Sequence, residues 1–165
     1  MSTRDEGVTV AAVAVEQVRP YRLAWLRRGT ASENVTFPGD DDPASVHLLA
    51  STGEGTPVGV ASWMQAASPD RPDAPALQLR GMAVDPARQR LGVGHALIEA
   101  GLALAERRGV AWVWANARDS ALAFYTAEGF AVVGDGFVTA DTQLPHHRIL
   151  RAVAGPPVGS ADRGQ

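Results

Sequence analysis

The sequence has no cysteine among its 165 residues. Disulfide bridges, thiolate metal ligands and a cysteine nucleophile are therefore excluded. Lysine is also absent, since all 15 basic residues are arginine, and a catalytic lysine is excluded with it. This absence is typical of a genome biased toward G and C. No apolar run is long enough to span a bilayer, and residues 1–6 lack a signal-peptide core, so we predict a cytoplasmic protein.

Charge of either sign is nearly balanced. The formal net charge is −3 and the isoelectric point about 5.8, so no basic surface argues for nucleic acid or an anionic membrane as a partner. Hydrophobic residues make up 45% and charged residues 20%, as in ordinary globular proteins. We predict one domain over residues 1–155 and a disordered tail over residues 156–165. The acidic run at residues 40–42 is expected to be solvated.

The hydrophobic pattern predicts a strand-rich α/β chain. A short helix is expected to begin near Pro20, and two further helices cover residues 95–108 and 118–128. Strands are predicted at residues 7–15, 45–51, 57–64, 76–84, 110–115 (closed by Asn116), 130–133 and 147–153. This order predicts a mixed sheet with helices on both faces. The two strands that flank the second helix should be parallel, and ligands bind where such strands end.

A glycine-spaced loop follows the fourth predicted strand. Its pattern Gln89-x-x-Gly92-x-Gly94 leads into a helix, and such a turn points free backbone N–H groups at one spot, as a phosphate-bearing ligand requires. The Gly-Lys-Ser/Thr of a P-loop is missing, and Leu97 stands where the dinucleotide fingerprint needs its third glycine. A plain turn into a helix is the alternative.

Two motifs together resemble the GNAT acetyltransferase superfamily. The loop is similar to that superfamily's pyrophosphate motif for coenzyme A. Behind it, Asn116-Ala117-Arg118 precedes Ala121-Leu122-Ala123-Phe124-Tyr125-Thr126-Ala127-Glu128-Gly129-Phe130, which is similar to the superfamily's Ala-x-x-Phe-Tyr-x-x-x-Gly-Phe helix. The resemblance covers residues 77–150, and Gly134-Asp135-x-Phe137 with Pro145-His146 resembles the bacterial ElaA-like branch.

This resemblance implies a fold and an activity. The fold is a GNAT-like mixed, mostly antiparallel sheet of about seven strands with helices on both faces. The activity is acetyl-CoA-dependent N-acetylation, in which the acetyl group passes directly to a primary amine of a small acceptor. Two alternatives stay open: a non-catalytic acyl-CoA-binding sensor, and an enzyme that acetylates protein termini or lysines.

The resemblance also implies residue roles. The Val84 N–H donates to the thioester oxygen, and Tyr125 is the acid that protonates the leaving thiolate. Tyr125 could instead be a core residue with its hydroxyl bonded to the backbone, and Asn116 could simply cap the next helix. The residues implied to hold coenzyme A are Met82, Ala83, Val84, Gln89, Arg90, Leu91, Gly92, Val93, Gly94, His95, Asn116 and Tyr125.

The base and the acceptor are less well defined. Many members carry a glutamate on the strand at residues 77–84, but this chain has no carboxylate there. His146 is the first substitute, Asp135 the second, and water relayed by backbone carbonyls is an equal alternative. Arg80 suggests a partner for an anionic part of the acceptor.

The acceptor itself has no recognisable code in the sequence. Its specificity is assigned to residues 19–43, to residues 68–75 and to the segment before His146. Trp112 and Trp114 are expected in the core or in a homodimer contact. We predict no metal site.

Overall fold

The computed structural model describes residues 7–89 and 91–153. Arg90 and the tail at residues 156–165, for which we made predictions, lie outside the described residues. Within these residues one sheet runs in the order β1-β2-β3-β4-β5-β7-β6. Its strands are β1 (Thr9–Val13), β2 (Val46–Ser51), β3 (Pro57–Gln65), β4 (Ala76–Val84), β5 (Trp112–Arg118), β6 (Ala131–Val138) and β7 (Pro145–Ala152). The predicted mixed sheet is confirmed, since β4 and β5 pair in parallel and the other neighbours pair antiparallel.

The helices cover both faces of this sheet, as predicted. α2 (Val93–Arg108) and α3 (Leu122–Ala127) pack on one face, where Trp63, Leu97 and Ile98 are fully buried. α1 (Val15–Tyr21) packs on the other face, where Val18 contacts a smaller apolar cluster. Each large apolar side chain buried in this way contributes roughly 1.5–3 kcal/mol. No helix in the described part of the chain has the length and apolarity to cross a membrane.

The prediction that the first helix begins near Pro20 is wrong. The helix begins at Val15 and Pro20 lies inside it, because Val15 and Val18 bury one face before the proline is reached. A proline within a helix removes one backbone hydrogen bond. The chain then widens into a π-helical segment, Arg22–Leu26, which ends where the Arg27 N–H donates to the Arg22 carbonyl at 2.9 Å.

The parallel strands β4 and β5 pair over only part of their length. Residues Ala76 to Leu79 face Trp112 to Ala115, and beyond these pairs the two strands diverge. A bulge marks the divergence on β4, since Ser62 faces Arg80 whereas Val60 faces Ala83. Gly81 forms this bulge with a φ of +65°, and a Cβ there would lie 2.8 Å from the Phe37 ring. The carboxyl ends of the two strands are therefore held apart.

β5 does not end at Asn116, as the sequence suggested, but continues to Arg118. The cause is its antiparallel partner β7, since Asn116 faces Arg148 and Arg118 faces His146. Arg118 begins a 3₁₀ turn with no side-chain cap, and Asn116 lies within the strand. The alternative that Asn116 caps the next helix is therefore wrong.

Candidate active site

A cleft of about 800 Å³ opens where β4 and β5 diverge. This is the position at which open α/β sheets bind ligands. All but two of the described residues that the sequence assigned to a site line this cleft; the exceptions are Leu91, which is 63% exposed, and the second candidate base, Asp135. The assigned residues in the lining are Arg80, Met82, Ala83, Val84, Gln89, Gly92, Val93, Gly94, His95, Asn116, Tyr125 and His146.

The start of α2 offers backbone donors to the cleft. Gly92 precedes the helix with a φ of +84°, and no side chain caps this end. The Ala96 N–H donates to the Gly92 carbonyl at 3.0 Å, whereas the N–H groups before it have no intrahelical partner. A Cβ on Gly94 would lie 2.9 Å from Cζ of Phe124. These donors and the positive helix end fit an anionic group such as a pyrophosphate.

The side chain of His95 pairs with a neighbouring residue at this helix end. It is exposed, and its Nδ1 lies 3.0 Å from the Glu128 carboxylate. Glu99 lies nearby, and the ligand atoms of the three residues are within 4.8 Å of one another. We assign no metal to this exposed group because His95 and Glu128 already pair with each other.

The last residues of β4 present a free backbone edge to the cleft. The Asp85 N–H donates toward β3, to the Val58 carbonyl, at 2.9 Å. Successive backbone groups in a strand alternate sides, and Val84 faces Gly59 as the next pair along. The Val84 N–H therefore points away from β3, toward the gap that β5 has left. An extended ligand can add to such an edge by main-chain hydrogen bonds.

Tyr125 is buried beneath the cleft. Its ring packs edge to face against Phe124 and Phe130, with centroids 5.0 and 5.6 Å away. Within residues 7–89 and 91–153 its hydroxyl has no protein hydrogen-bond partner, so the predicted alternative of a backbone-bonded core tyrosine is not found. Burial raises the pKa of Tyr125 well above its usual range, and the nearby Arg118 opposes this only in part. The hydroxyl is a proton donor at neutral pH.

His146 has a defined tautomer. Its Nδ1 lies 2.8 Å from the Leu144 carbonyl, and because a carbonyl only accepts, Nδ1 carries the proton. Nε2 is then left with a lone pair. His146 is 8% exposed, and its ring stacks on that of Phe137 with 5.8 Å between the ring centres. Asp135, the second candidate base, is exposed and contributes nothing to the cleft lining.

Three arginines line the other end of the cleft, and the sequence pointed only to Arg80. Arg27 donates to the Asp141 carboxylate at 3.1 Å, and Arg118 donates to the Leu26 carbonyl at 2.7 Å. The guanidinium of Arg80 lies 4.9 Å from the centre of the Phe37 ring. Burial lowers the pKa values of Arg80 and Arg118, and repulsion from Arg27 lowers them further.

A buried ion pair supports this end. Asp40 was expected to be solvated, but it is 4% exposed and accepts from the fully buried Arg22 at 2.8 and 3.0 Å. The same guanidinium lies 4.1 Å from the centre of the Phe37 ring. Burial alone would raise the pKa of Asp40, but hydrogen bonds from Arg22 and the Phe37 N–H outweigh it, and the pKa is lowered.

The loops that line the cleft differ in part from those that the sequence assigned to acceptor specificity. Phe37 and residues 25–27 line the cleft, as do Thr139, Asp141 and Thr142. By contrast, no residue of 68–75 is part of the lining. That loop is tied to β7, because Arg148 donates to the Asp70 carboxylate at 2.6 and 3.2 Å.

One family model and several solved structures are similar to this chain. A model of the acetyltransferase (GNAT) family matches residues 11–130, and no curated protein matches significantly. The ribosomal-protein-S18-alanine N-acetyltransferase from Escherichia coli is similar in structure, with a TM-score of 0.65 and 23% identity over 91% of this chain and 96% of that one. Spermidine N-acetyltransferase from Vibrio cholerae has a TM-score of 0.65 and 12% identity over 89% and 94%. An N-acyl amino acid synthase from uncultured soil microbes has a TM-score of 0.71 and 12% identity over 91% and 93%.

Proposed function

The chain belongs to the acetyltransferase (GNAT) family, whose members use acetyl-CoA as acyl donor, and we propose that it transfers the acetyl group directly to a primary amine of a small acceptor. One observation carries this proposal: the uncapped start of α2, the free edge of β4 and the buried Tyr125 all meet in one cleft. When bound there, acetyl-CoA supplies an activated acetyl group on its sulfur.

Three structural elements are assigned to holding the donor. The N–H groups from Leu91 to His95 bind the pyrophosphate, and Gly94 keeps the backbone accessible beside Phe124. The edge of β4 at Met82, Ala83 and Val84 pairs with the pantetheine arm. Gln89 and Asn116 contact the donor from the two sides of the cleft. The sequence assigns Arg90 to the donor as well.

The backbone N–H of Val84 stabilises the negative charge that develops on the carbonyl oxygen. It is held by the strand before the reaction begins, so no reorganisation is needed when the charge appears. Removal of one such donor from an enzyme costs roughly 2.7–4 kcal/mol of transition-state stabilisation.

Two side chains move protons. Nε2 of His146 accepts a proton from the acceptor ammonium, since an alkyl amine with a pKa near ~10.4 costs about 4.6 kcal/mol to deprotonate at pH 7. A water relay is the alternative for this step. The neutral amine attacks the carbonyl carbon, the C–S bond breaks, and the Tyr125 hydroxyl donates its proton to the leaving sulfur. The proton that the nitrogen loses as the amide forms then restores the Tyr125 hydroxyl.

The first experiment separates this proposal from the sensor alternative. Unfolding is followed with and without acetyl-CoA, and free CoA is measured with a panel of amines and peptides. A ligand at ~100 times its Kd adds about 2.7 kcal/mol. Stabilisation with CoA release supports the enzyme, stabilisation with no release for any acceptor supports the sensor, and no stabilisation overturns both. Release with peptides alone supports the protein acetyltransferase.

Some earlier expectations stay predictions. These are the ElaA-like branch, the cytoplasmic location, the homodimer, the single domain over residues 1–155 and the lack of nucleic-acid or membrane partners.

The half-buried Trp112 is covered by Arg71, whose guanidinium lies 4.9 Å from the ring, and the buried Trp114 donates to the Ala66 carbonyl at 2.8 Å. Both residues are accommodated within one chain.

A further inference from the structure

Positive charge is concentrated at one end of the cleft. Arg27, Arg80 and Arg118 all contribute to its lining, and Asp141 is the one acidic residue among the described lining residues. Since Asp141 pairs with Arg27 at 3.1 Å, two guanidinium groups remain without a counter-charge in the cleft.

In the described part of the chain, the guanidinium groups of Arg80 and Arg118 have few hydrogen-bond partners. Among residues 7–89 and 91–153, Arg118 makes one hydrogen bond, to the neutral carbonyl of Leu26. Arg80 is half-buried and, within the described residues, makes no hydrogen bond; it rests against Phe37, which the buried Arg22–Asp40 pair holds in place. A partly desolvated cation without a partner is unfavourable. An anion at this end of the cleft would relieve the desolvation of both groups and the repulsion that each receives from Arg27.

The phosphates of the donor are not placed to supply this anion. Arg80 lies before Val84 on β4, and their partners on β3, Ser62 and Gly59, are three residues apart, or roughly 10 Å along an extended strand. The start of α2, assigned to the pyrophosphate, lies beyond Val84 in the opposite direction. Arg80 therefore stands beyond the reacting end of the donor, on the side from which an acceptor enters.

We propose that the acceptor carries an anionic group close to its amine, and that Arg80 binds this group together with Arg118. The proposal rests on the proposed transfer to an amine and names its substrate class: small amines with a carboxylate or phosphate, such as free amino acids. Arginine suits this role because its planar fork of N–H donors matches both oxyanions. A polyamine or the N-terminus of a polypeptide brings no such anion.

Matched acceptor pairs test this class. CoA release and isothermal titration into the CoA-loaded protein are compared for alanine, leucine and phenylalanine against their amides, and for phosphoethanolamine against ethanolamine. The amides keep the amine and side chain and mimic a polypeptide N-terminus. We expect the anionic member of at least one pair to bind and react at least tenfold better. Equal or better results with the neutral members overturn the proposal, and the two arms tell carboxylate from phosphate.

Arg80→Gln assigns the effect to its residue. We expect a 10- to 100-fold rise in the KM of the preferred anionic acceptor, loss of the preference over its neutral partner, and unchanged stabilisation by acetyl-CoA. Arg108→Gln, at the exposed end of α2, is the matched control. A preference that survives Arg80→Gln overturns the role of Arg80.

Binding measured by isothermal titration tests the arginine subsite separately from the proposed function. If no amine gives CoA release, the transferase proposal fails, yet selective binding of the anionic members would still support the arginine subsite. If CoA release occurs without selectivity, the subsite fails and the transferase proposal stands.

Discussion

The carboxylate of Asp40 accepts two hydrogen bonds from the guanidinium of Arg22, at 2.8 and 3.0 Å. Arg22 also donates to the Ser62 hydroxyl at 2.9 Å, and the ring of Phe37 lies over its guanidinium. This pair therefore joins the end of α1, the loop before β2 and strand β3. It also holds Phe37, against which Arg80 rests, and therefore supports the arginine-lined end of the cleft.

Removal of the Asp40 charge should be strongly destabilising. Asp40→Asn leaves the fully buried Arg22 without its counter-charge, and a broken buried pair costs about 3–5 kcal/mol. Urea unfolding measures the change. Asp41→Asn is the matched control, because that side chain is 90% exposed; equal effects of the two variants would contradict the assignment.

The same pair predicts an acid dependence of stability. The pKa of Asp40 is lowered in the folded protein, below the value of about 3.9 in an unfolded chain. Its contribution is therefore present above about pH 4 and is lost as the pH falls through the folded value. Unfolding free energies measured from pH 6 down to pH 3 should decline, and less steeply in Asp40→Asn. Identical slopes would show that other carboxylates, such as Asp70 and Asp141, cause the decline.

Gly94→Ala should impair donor binding. Its Cβ would lie 2.9 Å from Phe124, so the ring or the start of α2 has to shift where the backbone donors are needed. We expect a KM for acetyl-CoA raised by about tenfold or more, equivalent to ~1.4 kcal/mol. Glu99→Ala, one turn further along α2 and outside the cleft lining, is the control. An unaltered KM in Gly94→Ala would remove this position from the donor site.

Tyr125→Phe should reduce kcat by about 100-fold or more, because a proton donor is lost, while the KM for acetyl-CoA stays close to that of the wild type. Burial raises the pKa of Tyr125, so its hydroxyl stays protonated through the neutral and mildly alkaline range and should cause no loss of activity there. Steady-state kinetics across pH check both points. Tyr21→Phe, in α1 and outside the cleft, is the control; a wild-type kcat in Tyr125→Phe refutes the acid role.

His146→Gln should lower kcat/KM at neutral pH by about 100-fold. The adjacent His147→Gln is the control, since His147 pairs with Asp119 at 2.7 Å and does not line the cleft. If His146→Gln keeps the wild-type kcat/KM, the proton leaves through water instead.

Local patterns carried most of the fold and part of the site. α2 is predicted by its apolar spacing and by Gly109, which ends it with a φ of +70°, and the glycine spacing placed Gly92 and Gly94 at its start. Two boundaries were wrong because contacts with other elements set them: the antiparallel partner β7 extends β5 past Asn116, and burial of Val15 and Val18 starts α1 before Pro20.

The sequence by itself determined the order of strands and helices, the glycine-spaced loop before α2 and the position of Tyr125, because each depends on residues within one or two turns of one another. Only the tertiary structure decided which of His146 and Asp135 reaches the cleft, and that Arg118 and Arg27 join Arg80 there. The contact between Arg27 and Asp141 spans 114 residues of sequence. Such pairs depend on the divergence of β4 from β5 and on the bulge at Gly81, so the charge of the cleft appears only once the sheet has formed.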